Sequence, residues 1–274
     1  MPTASSLTHD GRFMALFVGP KHSGKTVSAC SVYSDDPTKR TKVLDGDGRI
    51  RGILGAPWID KSRIDYDYFP PRVGPQGQTF YERVNQALDA LIVQCNTGQS
   101  PYETFLGDSL TAITSALVLD AVPLTHAGGK GKKLGTLAMP GPEDYGFEAT
   151  GTYSLLSCLR SLPIKNVILT AHVVDKYGKP KKEDGTKDTY ADSIVVGEKL
   201  SLRDKISANI GIYFDHIFRF DREMLNGQEH FYVEFIGDIA CTSFSGLKPG
   251  YHDITGKNFW KFLMEEVKGE VNAK

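Results

Sequence analysis

A segment near the start of the chain has the composition of a phosphate-binding loop. In VGPKHSGKT, Gly19 is followed by four residues and then by Gly24, Lys25 and Thr26. The apolar run FMALFV precedes this segment, and KTVSACSVYS, which is compatible with a helix, follows it. A glycine loop between a strand and a helix is the context that a P-loop requires. The spacing therefore predicts a site for a nucleoside triphosphate.

Each position of this motif has its own physical role. Glycines let backbone N–H groups turn towards phosphate oxygens, and the start of a helix adds unpaired N–H donors. The Lys25 ammonium is expected to reach the β- and γ-phosphates, while the Thr26 hydroxyl is expected to bind Mg²⁺. We accordingly predict a site for ATP and Mg²⁺. Its predicted residues are Gly19, Pro20, Lys21, His22, Ser23, Gly24, Lys25, Thr26 and Val27.

Two further apolar runs end in carboxylates. FLGDS places Asp108 after a strand, where it is the predicted metal ligand beside Thr26, the alternative being an ordinary turn aspartate. KVLDGDG ends in Asp45 and Asp47. Asp47 is our first choice for the residue that orients the attacking water, and Asp45 is its rival. An Asx turn without catalytic function remains an alternative for this turn-like sequence.

A histidine is expected at the same edge of the sheet. His172 in VILTAHVV is predicted to end a later strand, and the carboxyl ends of parallel strands share one edge, where ligands bind. There it would contact the γ-phosphate and report hydrolysis to the following loop. The alternative is a histidine that only packs or caps the strand.

The order of sequence patterns predicts the scaffold that positions these residues. Short apolar runs alternate with helical patterns such as TFYERVNQALDALIVQCNTG, and helices are also expected up to Pro123 and from Phe147. Segments 125–146 and 176–193 are predicted loops. Asn226-Gly227 predicts a hairpin near the end. We therefore expect an α/β fold with a mainly parallel central sheet, flanking helices and an antiparallel C-terminal hairpin edge.

Composition narrows the class of protein. The chain has 32 basic and 33 acidic residues and a net charge of −1, so any nucleic-acid binding requires a local basic patch. The four cysteines, Cys30, Cys95, Cys158 and Cys241, form no CxxC pair and are expected to be buried reduced thiols. No apolar run has the length of a membrane span. We expect no membrane partner, a cytoplasmic location and one domain over residues 1–274, with a core at 13–235 and a C-terminal extension at 236–274 that contains the terminal helix.

Several segments together resemble a known family. GPKHSGKT, KVLDGDGRIRGI, FLGDSLTAIT, NVILTAH and KLSLRDKISANIGIYFDHIFRF are similar, in this order, to segments of RecA-type core ATPases. More narrowly, the chain resembles phage-encoded RecA-like nucleotide-binding proteins, some of which act as single-strand annealing proteins. The resemblance covers roughly Phe13 to Phe235. It implies a RecA-like fold and an ATPase that binds single-stranded DNA during phage recombination, in the cytoplasm of the infected bacterium.

The resemblance also implies partners and residue roles. It implies a homo-oligomer, ring or filament, and a phage single-strand DNA-binding protein as a further partner. The family's water-activating glutamate falls on Asp47 and its sensor glutamine on His172. A basic residue that completes a neighbouring subunit's site falls on Lys199, Arg203 or Lys205. DNA-binding loops fall on 125–145 and 176–193, where Tyr145 and Tyr177 would stack on bases. The lysines of these loops that would neutralise phosphates are Lys130, Lys132, Lys133, Lys179, Lys181 and Lys182.

Two other functions stay open at this point. A P-loop is also compatible with a nucleoside or small-molecule kinase, although the lysine–glycine loops contain no arginine for a phosphate lid. A phage assembly or packaging ATPase that acts on protein partners is the other alternative, because a fold does not determine a function. The lysines of both loops also fit ordinary solvated loops.

Overall fold

The strand that leads into the glycine loop lies inside the central sheet. The structure is a computed structural model, and it describes residues 12–33, 36–70, 77–125, 133–134, 137–138, 140–179, 193–244 and 247–271. The strands are β1 (Phe13–Gly19), β2 (Arg40–Asp45), β3 (Ile64–Tyr68), β4 (Tyr102–Asp108), β5 (Lys133–Leu134), β6 (Leu137–Ala138), β7 (Asn166–Gly178), β8 (Ile194–Leu200), β9 (His216–Leu225), β10 (Gln228–Glu234), β11 (Cys241–Thr242) and β12 (Tyr251–Asp253). The α-helices are α1 (Lys25–Cys30), α2 (Phe80–Asn96), α3 (Leu110–Thr125), α4 (Pro142–Ser161), α5 (Asp204–Asn209) and α6 (Phe259–Val271).

The main sheet has a parallel part and an antiparallel edge. Strands β9, β1, β7, β4, β2 and β3 lie side by side in this order and run parallel. Strand β10 pairs antiparallel with β9 through the predicted Asn226-Gly227 turn, and β12 pairs with β10. The predicted fold class, a mainly parallel sheet with helices and an antiparallel C-terminal edge, is confirmed.

Alternate side chains of β1 enter two different cores. Met14, Leu16 and Val18 pack on the face that α2, α3 and α4 cover. Phe13, Ala15 and Phe17 pack on the opposite face, against α1 and the terminal helix α6. Because both faces are covered, all seven residues of β1 are buried. The P-loop therefore begins at the end of one of the most enclosed strands of the molecule.

Some predicted boundaries were wrong. Helix α3 runs past Pro123 to Thr125, since a proline in the last turn removes only one backbone hydrogen bond. Helix α4 begins at Pro142 inside the predicted loop 125–146, because proline suits a first helical position and the Asp144 carboxylate accepts a hydrogen bond from Gly141 N at 2.6 Å. Helix α1 ends at Cys30, and of the four cysteines only Cys30 is buried.

The largest difference concerns β7. This strand does not end at His172 but continues to Gly178, because β8, which the sequence reading missed, pairs antiparallel with its second half. The predicted loop 176–193 therefore begins as a strand, and its residues 180–192 lie outside the described ranges.

Among the described residues, no helix combines the length and the apolar character that crossing a bilayer requires.

Candidate nucleotide-binding site

The backbone of the predicted P-loop turns sharply at both of its glycines. Gly19 has φ +153°, and a Cβ atom at this position would lie 2.1 Å from the carbonyl oxygen of Phe220 on β9. Gly24 has φ +86°, and His22 has φ +64°. The Ser23 hydroxyl donates to Pro20 O at 3.0 Å and closes the loop. Glycine at position 19 is thus required by the close approach of β9 as well as by its own backbone angle.

The lysine of the motif is held inside the loop. Lys25 is 5% exposed, and its ammonium group donates to Gly19 O at 3.0 Å and Pro20 O at 2.6 Å. Desolvation lowers the pKa of Lys25 to about 8, although the charges of Asp108 and Asp47 oppose this effect. A buried cation whose hydrogen-bond partners are neutral carbonyl and hydroxyl dipoles is suited to a strongly anionic ligand such as a triphosphate.

The predicted metal ligands are in direct contact. Thr26 Oγ1 donates to Asp108 Oδ2 at 2.9 Å, and the Thr170 hydroxyl on β7 donates to Asp108 Oδ1. Burial raises the pKa of Asp108, while the hydrogen bonds from Thr170 and Thr26 lower it. A hydroxyl and a carboxylate at the mouth of a phosphate loop are oxygen donors of the kind that Mg²⁺ takes. These two side chains fit the predicted metal, and Thr170 was missed because its contact depends on strand register.

Sheet register brings the other predicted residues to the same edge. His172 lies opposite Gly19 across β1 and β7, and Asp45 lies opposite Asp108 across β2 and β4. His172 Nε2 is 3.1 Å from Asp47 Oδ2, and the backbone N–H of His172 donates to Thr111 Oγ1 at 3.0 Å.

The two rival aspartates have different surroundings. The buried Asp45 carboxylate accepts backbone N–H groups of Gly48, Arg49 and Ile50 at 2.7, 3.2 and 3.2 Å, so it holds the turn that follows β2. Asp47 faces the cavity instead. Desolvation raises the pKa of Asp47, whereas the hydrogen bond and the charge of His172 lower it. The net pKa of Asp47 is below its usual value. Asp47 is thus an ionised hydrogen-bond acceptor at neutral pH.

Lys25, Thr26, Asp47, Asp108 and His172 line one cavity of about 600 Å³. Sequence reasoning missed much of its wall. Arg49 and Trp58 line one side, and the hairpin and C-terminal segment contribute the residues Arg222, Glu229, Phe231, Ile254, Thr255, Gly256 and Lys257. Arg49 could have been predicted as a cavity residue, because it lies only two residues after Asp47 in the sequence. The residues beyond 235 carry no motif, and the pairing of β12 with β10, together with the hydrogen bonds of Ile254 and Thr255 to Phe231, brings them to the P-loop.

The residues that the resemblance assigns to a neighbouring subunit lie elsewhere. Lys199 Nζ is 3.0 Å from Asp204 Oδ1, and Arg203 Nε is 2.7 Å from the buried Glu148 Oε2. The Arg203 guanidinium also lies over the Tyr145 ring. Lys199 and Arg203 line a second cavity of about 420 Å³, and Lys205 lies in α5, two residues after Arg203. Their action on another chain stays a prediction.

The described residues include two of the six predicted DNA-binding lysines. Lys130, Lys132, Lys181 and Lys182 lie outside the described residues. Lys133 lies in β5, and Lys179 directly follows β7. Tyr177 on β7 is 64% exposed, whereas Tyr145 is covered by Arg203. Of the two predicted stacking residues, Tyr177 is exposed, whereas Tyr145 is only partly exposed.

Comparisons with known proteins add little to this geometry. No protein-family model matches the chain, and no curated protein matches it. Among solved structures, a KaiC-like protein from the hyperthermophilic archaeon Pyrococcus horikoshii OT3 is similar, with 11% identity and a TM-score of 0.48. The alignment covers 89% of this chain and 85% of that chain. At this TM-score the likeness supports neither a family nor a function.

Proposed function

We propose that this protein binds ATP with Mg²⁺ in the P-loop cavity and hydrolyses it. The observation that carries the proposal is the convergence of three units on one cavity: Lys25, the Thr26–Asp108 pair and the Asp47–His172 pair. They come from the ends of β1, β2 and β4 and from the interior of β7, and these segments are far apart in sequence. Phosphoryl transfer requires such a set, namely a phosphate cation, metal ligands and a group that orients water.

The residues divide the chemistry between them. Lys25 would exchange its bonds to the loop carbonyls for bonds to phosphate oxygens. Thr26 and Asp108 would hold Mg²⁺, which neutralises phosphate charge when bound. Asp47, ionised at neutral pH, accepts a hydrogen bond from the attacking water, and His172 holds the carboxylate in place. Thr170 orients the Asp108 carboxylate through its hydrogen bond to Oδ1.

We further propose the finer activity that the RecA-type resemblance implies: binding of single-stranded DNA by an oligomer, in support of phage recombination. Its support is the position of β7, which leaves the P-loop edge and continues to the exposed Lys176 and Tyr177. A basic residue beside an exposed ring is a combination that binds single strands. Strand β7 would then connect the site of ATP hydrolysis, which it reaches through His172, with the DNA that Tyr177 would bind.

One assay tests the proposal and its alternatives. Phosphate release from ATP is measured with and without an oligothymidylate, for the wild type, for Lys25→Ala and for Lys61→Ala, an exposed lysine away from the cavity. We expect Lys25→Ala to lose about 100-fold or more in rate and Lys61→Ala to match the wild type. A Lys25→Ala chain that binds and hydrolyses ATP normally would refute the proposal.

The DNA arm of the same assay separates the finer functions. Stimulation by the oligonucleotide supports the DNA-binding activity. Transfer of phosphate only to an added nucleoside or other small acceptor would instead support a kinase. Hydrolysis that DNA does not change would support an ATPase that acts on protein partners.

A further inference from the structure

Four long cationic side chains line the nucleotide cavity, and three of them are engaged. Lys25 donates to carbonyls of the P-loop. Arg222 pairs with Glu229 at 3.0 Å, and Lys257 donates to a backbone carbonyl at 2.7 Å. Within the part of the chain that the structure describes, the Arg49 guanidinium makes neither a hydrogen bond nor an ion pair, and Arg49 is exposed. This cavity-lining side chain thus carries five N–H donors that have no protein acceptor among the described residues.

The backbone that carries Arg49 is firmly held. The Asp45 carboxylate accepts the N–H groups of Gly48, Arg49 and Ile50. This turn also carries Asp47, two residues before Arg49. An acceptor for the attacking water and a free guanidinium therefore project from the same anchored turn. A rigid support is what a group needs if it is to stabilise charge without reorganising.

The charges around Arg49 favour an anion between it and the P-loop. Arg49 lies close enough to Lys25 and Asp47 for its charge to lower the pKa of both groups. Two cations that repel each other across a cavity are stabilised when an anion lies between them. A triphosphate bound by Lys25 is such an anion, and its transferring phosphoryl group lies nearest to the water that Asp47 would orient.

On the basis of the proposed function, we propose that Arg49 is a catalytic residue that contacts the transferring phosphoryl group in cis. The planar guanidinium donates to phosphate oxygens, where negative charge is spread in the transition state. The resemblance assigns this task to Lys199, Arg203 or Lys205 of a neighbouring chain, and two of these, Lys199 and Arg203, are already held by Asp204 and Glu148. Each chain would therefore carry a complete hydrolytic site of its own.

The first test compares Arg49→Ala and Arg49→Lys with Arg51→Ala, an exposed arginine of the same turn that does not line the cavity. A transition-state arginine is worth about 10³–10⁵-fold in kcat. We expect Arg49→Ala to lose at least about 10³-fold, Arg49→Lys to recover part of this, and Arg51→Ala to keep the wild-type rate. Binding of ADP is expected to change less than about threefold in Arg49→Ala, whereas binding of ADP with aluminium fluoride is lost. A kcat of Arg49→Ala close to that of the wild type would overturn the assignment while leaving the ATPase proposal intact.

The second test decides whether Arg49 acts on the nucleotide of its own chain or on that of a neighbouring chain. Lys25→Ala keeps Arg49 but has a defective P-loop, whereas Arg49→Ala keeps the P-loop. If Arg49 acted on a neighbouring chain, a mixture of the two variants would regain hydrolysis. We expect no regained activity at any mixing ratio, and a mixture more active than its components would overturn the cis assignment. A wild type without ATP binding or hydrolysis would instead sink the proposed function itself.

Discussion

A buried histidine next to the P-loop strand makes the stability of the fold depend on pH. His216 begins β9 and pairs with Ala15 of β1. Its ring stacks against the rings of Phe13 and Phe244, with centroid distances of 4.9 and 4.3 Å, and its Nδ1 is 2.7 Å from Thr242 Oγ1. Desolvation lowers the pKa of His216 from 6.5 to about 4. The native state therefore holds this ring neutral at pH values where the unfolded chain protonates it.

The sign and the size of the effect follow from linkage. Because the pKa is lower in the folded state, the contribution is fully present above about pH 6.5 and is lost as the pH falls towards about 4. Each pKa unit corresponds to about 1.4 kcal/mol, so the upper limit is about 3 kcal/mol. Between about pH 7 and pH 5 the free energy of unfolding should fall by about 2 kcal/mol through this residue alone.

Urea unfolding at both pH values measures this loss. Other groups also titrate, so the relevant quantity is the difference between the wild type and a variant that cannot be protonated at this position. His216→Gln removes the titration, and His216→Phe does so while keeping an aromatic ring in the stack. Both variants should lose about 2 kcal/mol less than the wild type between the two pH values. Equal losses in the wild type and both variants would refute the argument from burial.

The remaining predictions concern the first glycine of the P-loop and the two aspartates that follow β2. Gly19→Ala should lower the free energy of unfolding by about 2–3 kcal/mol, because a Cβ would meet Phe220 O and the φ angle is strained. Gly146→Ala, in helix α4 with no neighbouring element within 4 Å of the added methyl, is the control and should raise the free energy of unfolding by up to about 1 kcal/mol in the same chemical denaturation. Asp47→Asn should fold normally and lose about 10²–10⁴-fold in ATP hydrolysis. Asp45→Asn should instead lose about 2 kcal/mol of stability, because it removes charge-assisted bonds to the backbone. The reverse pattern, a stable but inactive Asp45→Asn beside an active Asp47→Asn, would exchange the roles of the two aspartates.

Local sequence patterns predicted the elements whose neighbours are close in the chain. The 17-residue helix α2 begins where expected, since Thr79 and Glu82 form a capping box and the apolar residues recur at helical spacing. The hairpin forms at Asn226-Gly227, both of which have positive φ. Strand β8 was missed because IVVGEKL follows a charged, glycine-bearing stretch, and its pairing partner β7 lies 16 or more residues earlier. Long-range pairing of this kind leaves no periodic signal in either strand.

The sequence by itself determined the P-loop, the strand before it and the carboxylate at Asp108, because each depends on a short run of residues with a particular backbone shape. The tertiary structure alone decided which aspartate faces the cavity and which nitrogen of His172 contacts that aspartate. It also decided that Arg49 and residues 254–257 line the nucleotide cavity. The physical reason is that these contacts depend on the register between strands and on the turn angles after them. A shift of one residue in a strand would send the same side chains to the opposite face.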